Sequence, residues 1–254
     1  MTRLLQFTDM HLLNDPAAEW RGAVPQRSFE ATLYHARRNH WPADAVLLTG
    51  DLANDEFDQS YARLAHMARR WDCPVIALPG NHDDPVQAGA AFSEPPLYWC
   101  GQHDLGNWRI VALDSRIAGQ AGGSLPNEER ERLRQAAAGR GHRHLAVTLH
   151  HPPVVMGSRW LDSVGMDDGA EVLALLEDLE ASLCLFGHVH QAWDSQQGKL
   201  RILGTPSTGT QFLPRSDEFA LDTRPPAYRW LELHDDGTID TDICWLPDEE
   251  TTHA

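Results

Sequence analysis

Six short apolar runs, "RLLQFT", "AVLLTG", "PVIALPG", "WRIVALD", "HLAVTLH" and "SLCLFG", recur along the chain up to Gly187 and alternate with longer amphipathic stretches. No other feature restricts the fold as much. Strands separated by helix-length segments cannot close as tight hairpins, so they must cross over and pair largely in parallel. The spacing predicts helices over Gln26–Asn39, Glu56–Arg70, Asn127–Ala138 and Ala170–Glu180. From about residue 190 the pattern changes. "LRILGTPS", "YRWLELH" and "IDTDICWL" follow one another with the turn signals "QQGK" and "DDG" between them, which predicts a β-rich, antiparallel C-terminal part. With 254 residues, 42% of them hydrophobic, the chain can bury one large core and is short for two. There is no internal repeat and no linker, so residues 1–254 are expected to form a single α/β domain.

Open α/β sheets bind ligands beyond the carboxyl ends of their strands. The residues there are chemically alike. The first run ends in "TDMH" (Asp9, His11), the second in "TGD" (Asp51), the third in "PGNHD" (Asn81, His82, Asp83), the fifth in "LHHPP" (His150, His151) and the sixth in "GHVH" (His188, His190). Any one of these has an ordinary explanation: a capping Asp, a Gly-Asp or Gly-Asn turn, a proline that stops a strand. Those explanations would all have to hold together, in order, at the same end of five strands. Carboxylate, imidazole and amide oxygen in one place suit divalent manganese, iron or zinc. Asp9 and His11, two apart on an extended segment, would reach the same face.

The ordered set "DMH … GD … GNHD … HHPP … GHVH" resembles the calcineurin-like metallophosphoesterase superfamily, and the resemblance spans Asp9 to His190. It implies a four-layer αββα sandwich with a dinuclear metal site. Carried over residue by residue, it implies one metal on Asp9, His11 and His190, a second on Asn81, His150 and His188, and Asp51 bridging both. Two divalent ions, Fe2+ or Mn2+ with Zn2+ as an alternative, would share a hydroxide that attacks phosphorus. His82 would be the general acid that protonates the leaving alkoxide. His11, Asp51, Asn81, His82, His150 and His190 would face the substrate. His150 is preferred to His151 as a ligand because the family's histidine precedes the proline by two positions; His151 would support the site or face the substrate. Related enzymes often carry an Asp three residues after the bridging one, to orient the acid. Asn54 stands there in this chain, followed by Asp55.

Outside those blocks the chain is similar to a narrower group, the bacterial class III cyclic-AMP phosphodiesterases. The matching stretches are "LLQFTDMHLL", "SRWLD", "GHVHQAWD", "TPSTGTQFLP" and "FALDTRPPAYRWLELHDDGTIDT". The resemblance implies hydrolysis of 3′,5′-cyclic AMP to the 5′-monophosphate. In that case "TPSTGTQF" would turn hydroxyls and amides toward the substrate, and Trp160 and Phe212 would either stack on the base or pack. Two other readings stay open: a glycerophosphodiester or broad-specificity phosphodiesterase of the same superfamily, and a non-catalytic scaffold on the same fold.

Charge narrows the partners. A formal net charge of −16 repels a nucleic acid backbone and anionic lipid. A small anionic substrate is not excluded, because bound metal reverses the local field. No run reaches the length of a membrane span, no export signal precedes the first strand, and the four cysteines show no zinc-type spacing. A cytoplasmic enzyme without a nucleic acid or membrane partner is expected, with a homodimer left open.

Overall fold

The computed structural model describes residues 1–54 and 58–247. In chain order the strands are β1 (Thr2–Phe7), β2 (Ala45–Thr49), β3 (Val75–Leu78), β4 (Leu97–Trp99), β5 (Gly101–Leu105), β6 (Trp108–Ala112), β7 (His144–Thr148), β8 (Leu183–Phe186), β9 (Trp193–Gln197), β10 (Leu200–Gly204), β11 (Gln211–Phe212), β12 (Leu221–Asp222), β13 (Ala227–Leu233) and β14 (Ile239–Trp245). The helices are α1 (Pro25–Asn39), α2 (Asp58–Ala68), α3 (Pro85–Ala91), α4 (Asn127–Ala138), α5 (Arg159–Asp162) and α6 (Gly169–Asp178). The expected start of the second helix, Glu56, lies outside the described residues, as does Asp55.

Two six-stranded sheets form, in the orders β14-β13-β1-β2-β3-β4 and β5-β6-β7-β8-β10-β9, with β11 and β12 as a separate ribbon. Three apolar cores reveal the layering. Alternate residues of β1 and β2, such as Phe7 and Leu48, pack with Phe29, Leu64 and Trp71 from the α1 and α2 side. Their neighbours Leu4 and Leu47 point the other way, onto Trp108, Ile110 and Leu185 of the second sheet. That sheet's outer face, Val111, Val147 and Phe186, is covered by Leu133 of α4 and Leu176 of α6. Three cores need four layers, helix–sheet–sheet–helix, so the αββα sandwich is the observed architecture. Burial on both faces explains why the central strands read as unbroken apolar runs.

The C-terminal part is less uniform than expected. β13 and β14 form an antiparallel hairpin, and β9 and β10 pair antiparallel, but β10 runs parallel to β8. The correction has a simple cause. After β8 the chain crosses the site and returns through β9, so β10 enters the sheet in the direction of β8. β13 lies antiparallel against β1, placing that first strand inside its sheet rather than at an edge. Cys73, Cys100 and Cys184 are buried free thiols, and Cys184 lies on β8. Among the described residues, no helix is long and apolar enough to cross a membrane.

Candidate metal centre

The loops after β1, β2, β3, β7 and β8 converge where the two sheets meet. They bring together four groups of potential ligands: Asp9, His11 and His190; Asp9, Asp51 and His150; His11, Asp51 and His82; and His150, His151 and His188. Within each, the candidate atoms lie within 4.8 Å of one another. Asp51 Oδ2 is 3.6 Å from His11 Nε2 and 3.4 Å from His150 Nε2, so it faces both halves of the cluster. Asp9 Oδ1 lies 3.3 Å from His190 Nε2 and 3.9 Å from His150 Nε2.

Asp9 and His11 do not reach this place by strand alternation. Both lie past the end of β1 with φ of 53° and 47°, and Asp51, His188 and His190 are left-handed as well, at 49°, 67° and 49°. Such backbone costs non-glycine residues on the order of 1–3 kcal/mol each and persists only where the surroundings enforce it. Here they do. Asp9 N and His11 N donate to Gly50 O and Asp51 O, at 3.0 and 2.9 Å. Asp83, buried at the end of the "GNHD" block, accepts from Leu52 N, Ala53 N, Gly80 N and the Tyr61 hydroxyl at 2.9–3.1 Å. It thereby ties the loops after β2 and β3 together. Burial, with Asp51 nearby, lifts the Asp83 carboxyl to about 6. Gly187 lets β8 turn beside β1, where a Cβ would meet Thr8 Oγ1 and lie 2.8 Å from Asp9 Oδ2.

The histidines are oriented from behind. A backbone carbonyl oxygen only accepts, so a ring nitrogen facing one carries the proton and leaves the other nitrogen of a neutral ring as an acceptor. His150 Nδ1–H donates to Thr49 O at 2.8 Å, and His190 Nδ1–H donates to Thr210 O. His188 Nε2–H donates to Val164 O at 2.9 Å, and His11 Nδ1–H donates to Asn54 Oδ1 at 3.2 Å. The remaining lone pairs then face one another. His11 Nε2 and His190 Nε2 are 3.2 Å apart, and His188 Nδ1 is 3.0 Å from Asn81 Oδ1. His150 Nε2 is buried without a hydrogen bond. Facing acceptors and an orphaned imidazole nitrogen are costly in a dry site and are what a bound cation relieves. The residues present therefore fit a pair of divalent ions, with Asn81 as the amide donor.

The electrostatics agree. Burial raises Asp9 and Asp51, yet His190 and His150 for Asp9, and His150 and His11 for Asp51, outweigh it. Both carboxyls are held below the usual carboxylate range. Burial, with His190 and His82 close by, drops His11 to about 3, and burial beside His150 drops His188 to about 4. Burial also works against charge on His150, but Asp51 and Asp9 prevail and lift it to about 9. Without an ion, a proton on His150 neutralises part of the carboxylate charge.

A cavity of about 180 Å³ opens over the cluster and is lined by His11, Asp51, Asn81, His82, His188 and His190. Asp9 and His150 lie beneath that lining, so His150, expected to face the substrate as well as a metal, is cut off from the cavity by its burial. His82 is exposed at the rim, its ring edge-on to His11 at 4.9 Å and its backbone N–H donating to Asp51 Oδ1 at 2.9 Å. Three points left open by the sequence take a definite form here. Asn54 orients His11 and not His82. His151 does not face the substrate: it is buried, with Nδ1 2.9 Å from Ser115 Oγ and Nε2–H on Ala121 O, and burial beside His188 and His150 keeps it neutral. "TPSTGTQF" props the site from below: Ser207 Oγ–H donates to Asp9 O, Thr208 N to Thr8 O, and Thr210 O holds His190. Phe212 stacks on His190 at 4.0 Å, and Trp160 packs edge-on against Phe212 while also lining the cavity. Sequence reasoning missed Trp20, which stacks on His11 at 4.1 Å, together with Arg21 and Phe219 at the mouth. For Trp20 and Arg21 the only signal was "EWRG", an aromatic and a cation before a glycine; Phe219 opens the stretch "FALDTRPP".

Comparison with known proteins adds to this geometry. The family model for calcineurin-like phosphoesterases matches residues 2–192. The chain is 38% identical over 248 residues to the 3′,5′-cyclic adenosine monophosphate phosphodiesterase CpdA of Pseudomonas aeruginosa, covering 96% of this chain and 90% of that one. It is 35% identical over 250 residues to the protein of that name from Escherichia coli K12, covering 97% and 90%. Among solved structures, the purple acid phosphatase PPD1 of yellow lupin (Lupinus luteus) superposes with a TM-score of 0.63 at 14% identity, over 99% of this chain and 55% of that one.

Proposed function

This chain belongs to the calcineurin-like phosphoesterase family, and on that premise we propose that it hydrolyses 3′,5′-cyclic AMP to 5′-AMP. One observation carries the choice of substrate. Similarity to relatives named for that activity covers 96% of the chain, well past the family match that ends at residue 192. It therefore includes Phe212 and Phe219, which wall the cavity.

Asp9, His11 and His190 would hold one divalent ion and Asn81, His150 and His188 the other, with Asp51 between them; Fe2+ or Mn2+ fits this mixed donor set, and Zn2+ is the alternative. When bound, such a pair supplies positive charge to the phosphoryl oxygens and a water made acidic enough to react at neutral pH. The chain's own part is placement and proton transfer. Water oxygen joins phosphorus as the P–O3′ bond breaks, and O3′ leaves as a strong base that needs a proton. His82, at the rim and fixed through its backbone N–H to Asp51, delivers it. Burial of Asp9 and His150 below the lining keeps those two as ligands alone, while His11, Asp51, Asn81, His82 and His190 border the substrate.

The reading takes residues 1–254 as one catalytic unit acting in the cytoplasm on a small molecule, with no nucleic acid or membrane partner and with assembly into a homodimer left to measurement. The deciding experiment is a substrate panel on metal-reconstituted protein: cyclic AMP, cyclic GMP, a glycerophosphodiester and a phosphomonoester. A kcat/KM for cyclic AMP well below that for the glycerophosphodiester transfers the assignment to the latter.

A further inference from the structure

Among the described residues, Arg21 is the one permanently charged cation in the wall of the active-site cavity, on a chain with a net charge of −16. Its backbone is unusual. Trp20 N donates to Ala23 O at 2.8 Å and Ala23 N donates back to Trp20 O at 3.1 Å, closing a two-residue turn over Arg21 and Gly22. Their φ values are 52° and 83°, so both central residues are left-handed, the pattern of a type I′ turn. Such turns favour Asn, Asp or Gly at each position. Gly22 satisfies that preference and Arg21 does not.

The side chain is held as deliberately as the backbone. The guanidinium carbon lies 4.5 Å from the centre of the Trp20 ring, 4.5 Å from that of Phe219 and 5.6 Å from that of Phe212. Among the described residues no carboxylate pairs with it. Two of these rings also lie on the candidate metal ligands, Trp20 stacked on His11 and Phe212 on His190. The cation is thus one ring removed from the cluster. Aromatic faces fix the plane of a guanidinium and leave its edge N–H groups free to donate. Packing alone would be served by an uncharged side chain, and the turn would be better served by Asn or Gly.

We propose that Arg21 is a substrate-binding residue whose guanidinium edge donates to the non-bridging phosphoryl oxygens of the bound phosphodiester. This rests on the phosphodiesterase reading above and adds the group that recognises the anion.

The test compares wild type, Arg21→Asn and Arg21→Lys as full-length, manganese-reconstituted proteins. Each is assayed on cyclic AMP and on bis(p-nitrophenyl) phosphate, and inorganic phosphate binding is measured by calorimetry. Because Asn suits the left-handed position, R21N should melt at the wild-type temperature or above it and keep its metal content. Its KM for both diesters and its Kd for phosphate should rise on the order of 10- to 100-fold, with kcat changed far less, and R21K should recover part of the loss. Unchanged KM and phosphate affinity in R21N overturn the proposal. So does a fall in kcat and metal content with KM intact, which would make Arg21 a prop for Trp20 and His11. If wild type cleaves the aryl diester and not cyclic AMP, the cyclic-nucleotide reading fails while Arg21 is still judged on the aryl diester. If it cleaves neither, the phosphate affinities of wild type and R21N decide alone.

Discussion

The two ends of the sandwich make opposite use of space. At the amino ends of the strands lies a cavity of about 560 Å³ lined by Arg140, Arg143, Lys199 and Arg201; at the carboxyl ends the cavity over the histidines measures about 180 Å³. The larger one is mostly paired, although Arg143 Nε is buried there with only an ion pair to Asp104 at 3.5 Å. Arg201 is bound to Asp194 at 3.2 and 2.8 Å and donates to Ile239 O, and Arg140 lies 3.6 Å from Glu180. The chain turns there on Gly141, Gly198 and Gly237, with Glu180 the left-handed non-glycine. At the smaller cavity the left-handed residues are Asp9, His11, Arg21, Asp51, His188 and His190, and acceptors face acceptors. Volume follows from how loops happen to meet. Sustained strain and unmet polar atoms cost free energy, so they persist where something offsets the cost.

Substitutions at the two ends should differ accordingly. The largest effect is expected from Asp51→Asn, which removes the carboxylate facing both halves of the cluster. Metal content by elemental analysis should fall, with kcat/KM down on the order of 10³-fold or more. Full metal occupancy in D51N would mean the strain serves something else. His82→Ala should keep its metal and lose about 10²–10⁴-fold in kcat on cyclic AMP, but less on an activated aryl diester that needs little protonation. Equal losses on both esters would remove His82 as the leaving-group acid. Asn54→Ala frees the His11 ring and should weaken metal binding about 10–100-fold, measured by competition with a chelator.

The pH response sharpens the contrast further. In the metal-free chain His150 is raised to about 9, so its contribution to stability is complete below the unfolded value of about 6.5 and is lost as pH rises toward 9. His188 and His11 are depressed to about 4 and about 3, so stability also falls as pH drops from about 6.5 through those values. Melting in chelator should therefore peak near neutrality, and Mn2+ should remove the alkaline decline by taking the place of the proton on His150. A melting temperature that is flat from pH 6.5 to 9 in chelator would break that account. The smallest effect belongs to the other end: Lys199→Ala should leave kcat/KM unchanged and alter stability by no more than about 0.5 kcal/mol by denaturant titration.

What could be read in advance follows from what leaves a periodic trace. β1, β2, β3, β6, β7 and β8 are buried on both faces and stand out as apolar runs, and α4 occupies the expected Asn127–Ala138. β5, "GQHDL", and β9, "WDSQQ", have no fully buried position and mostly polar residues, so neither resembles a strand until its partner is known. The five blocks were visible because their residue types are chemically distinctive. The left-handed conformations of Asp9 and His11 were not, since sequence spacing suggests strand alternation there and only contacts with the loop after β2 impose the turn. The buttressing by Ser207, Thr208 and Thr210 was hidden for the same reason: a hydroxyl-rich loop looks equally ready to face a ligand or the underside of a neighbouring loop.

The position of β13 beside β1 bears on how the chain is made. β1 leaves the ribosome long before its partner: the strand that covers its open edge comes more than two hundred residues later, with Leu4 opposite Leu231 and Gln6 opposite Arg229. Throughout elongation β1 keeps an unpaired row of backbone groups next to Leu4 and Leu5, an edge that invites pairing with another nascent chain. Contacts this distant in sequence also form slowly. Ribosome-bound chains released before Ala227 should accordingly associate or be degraded, even though every candidate metal ligand has already been synthesised.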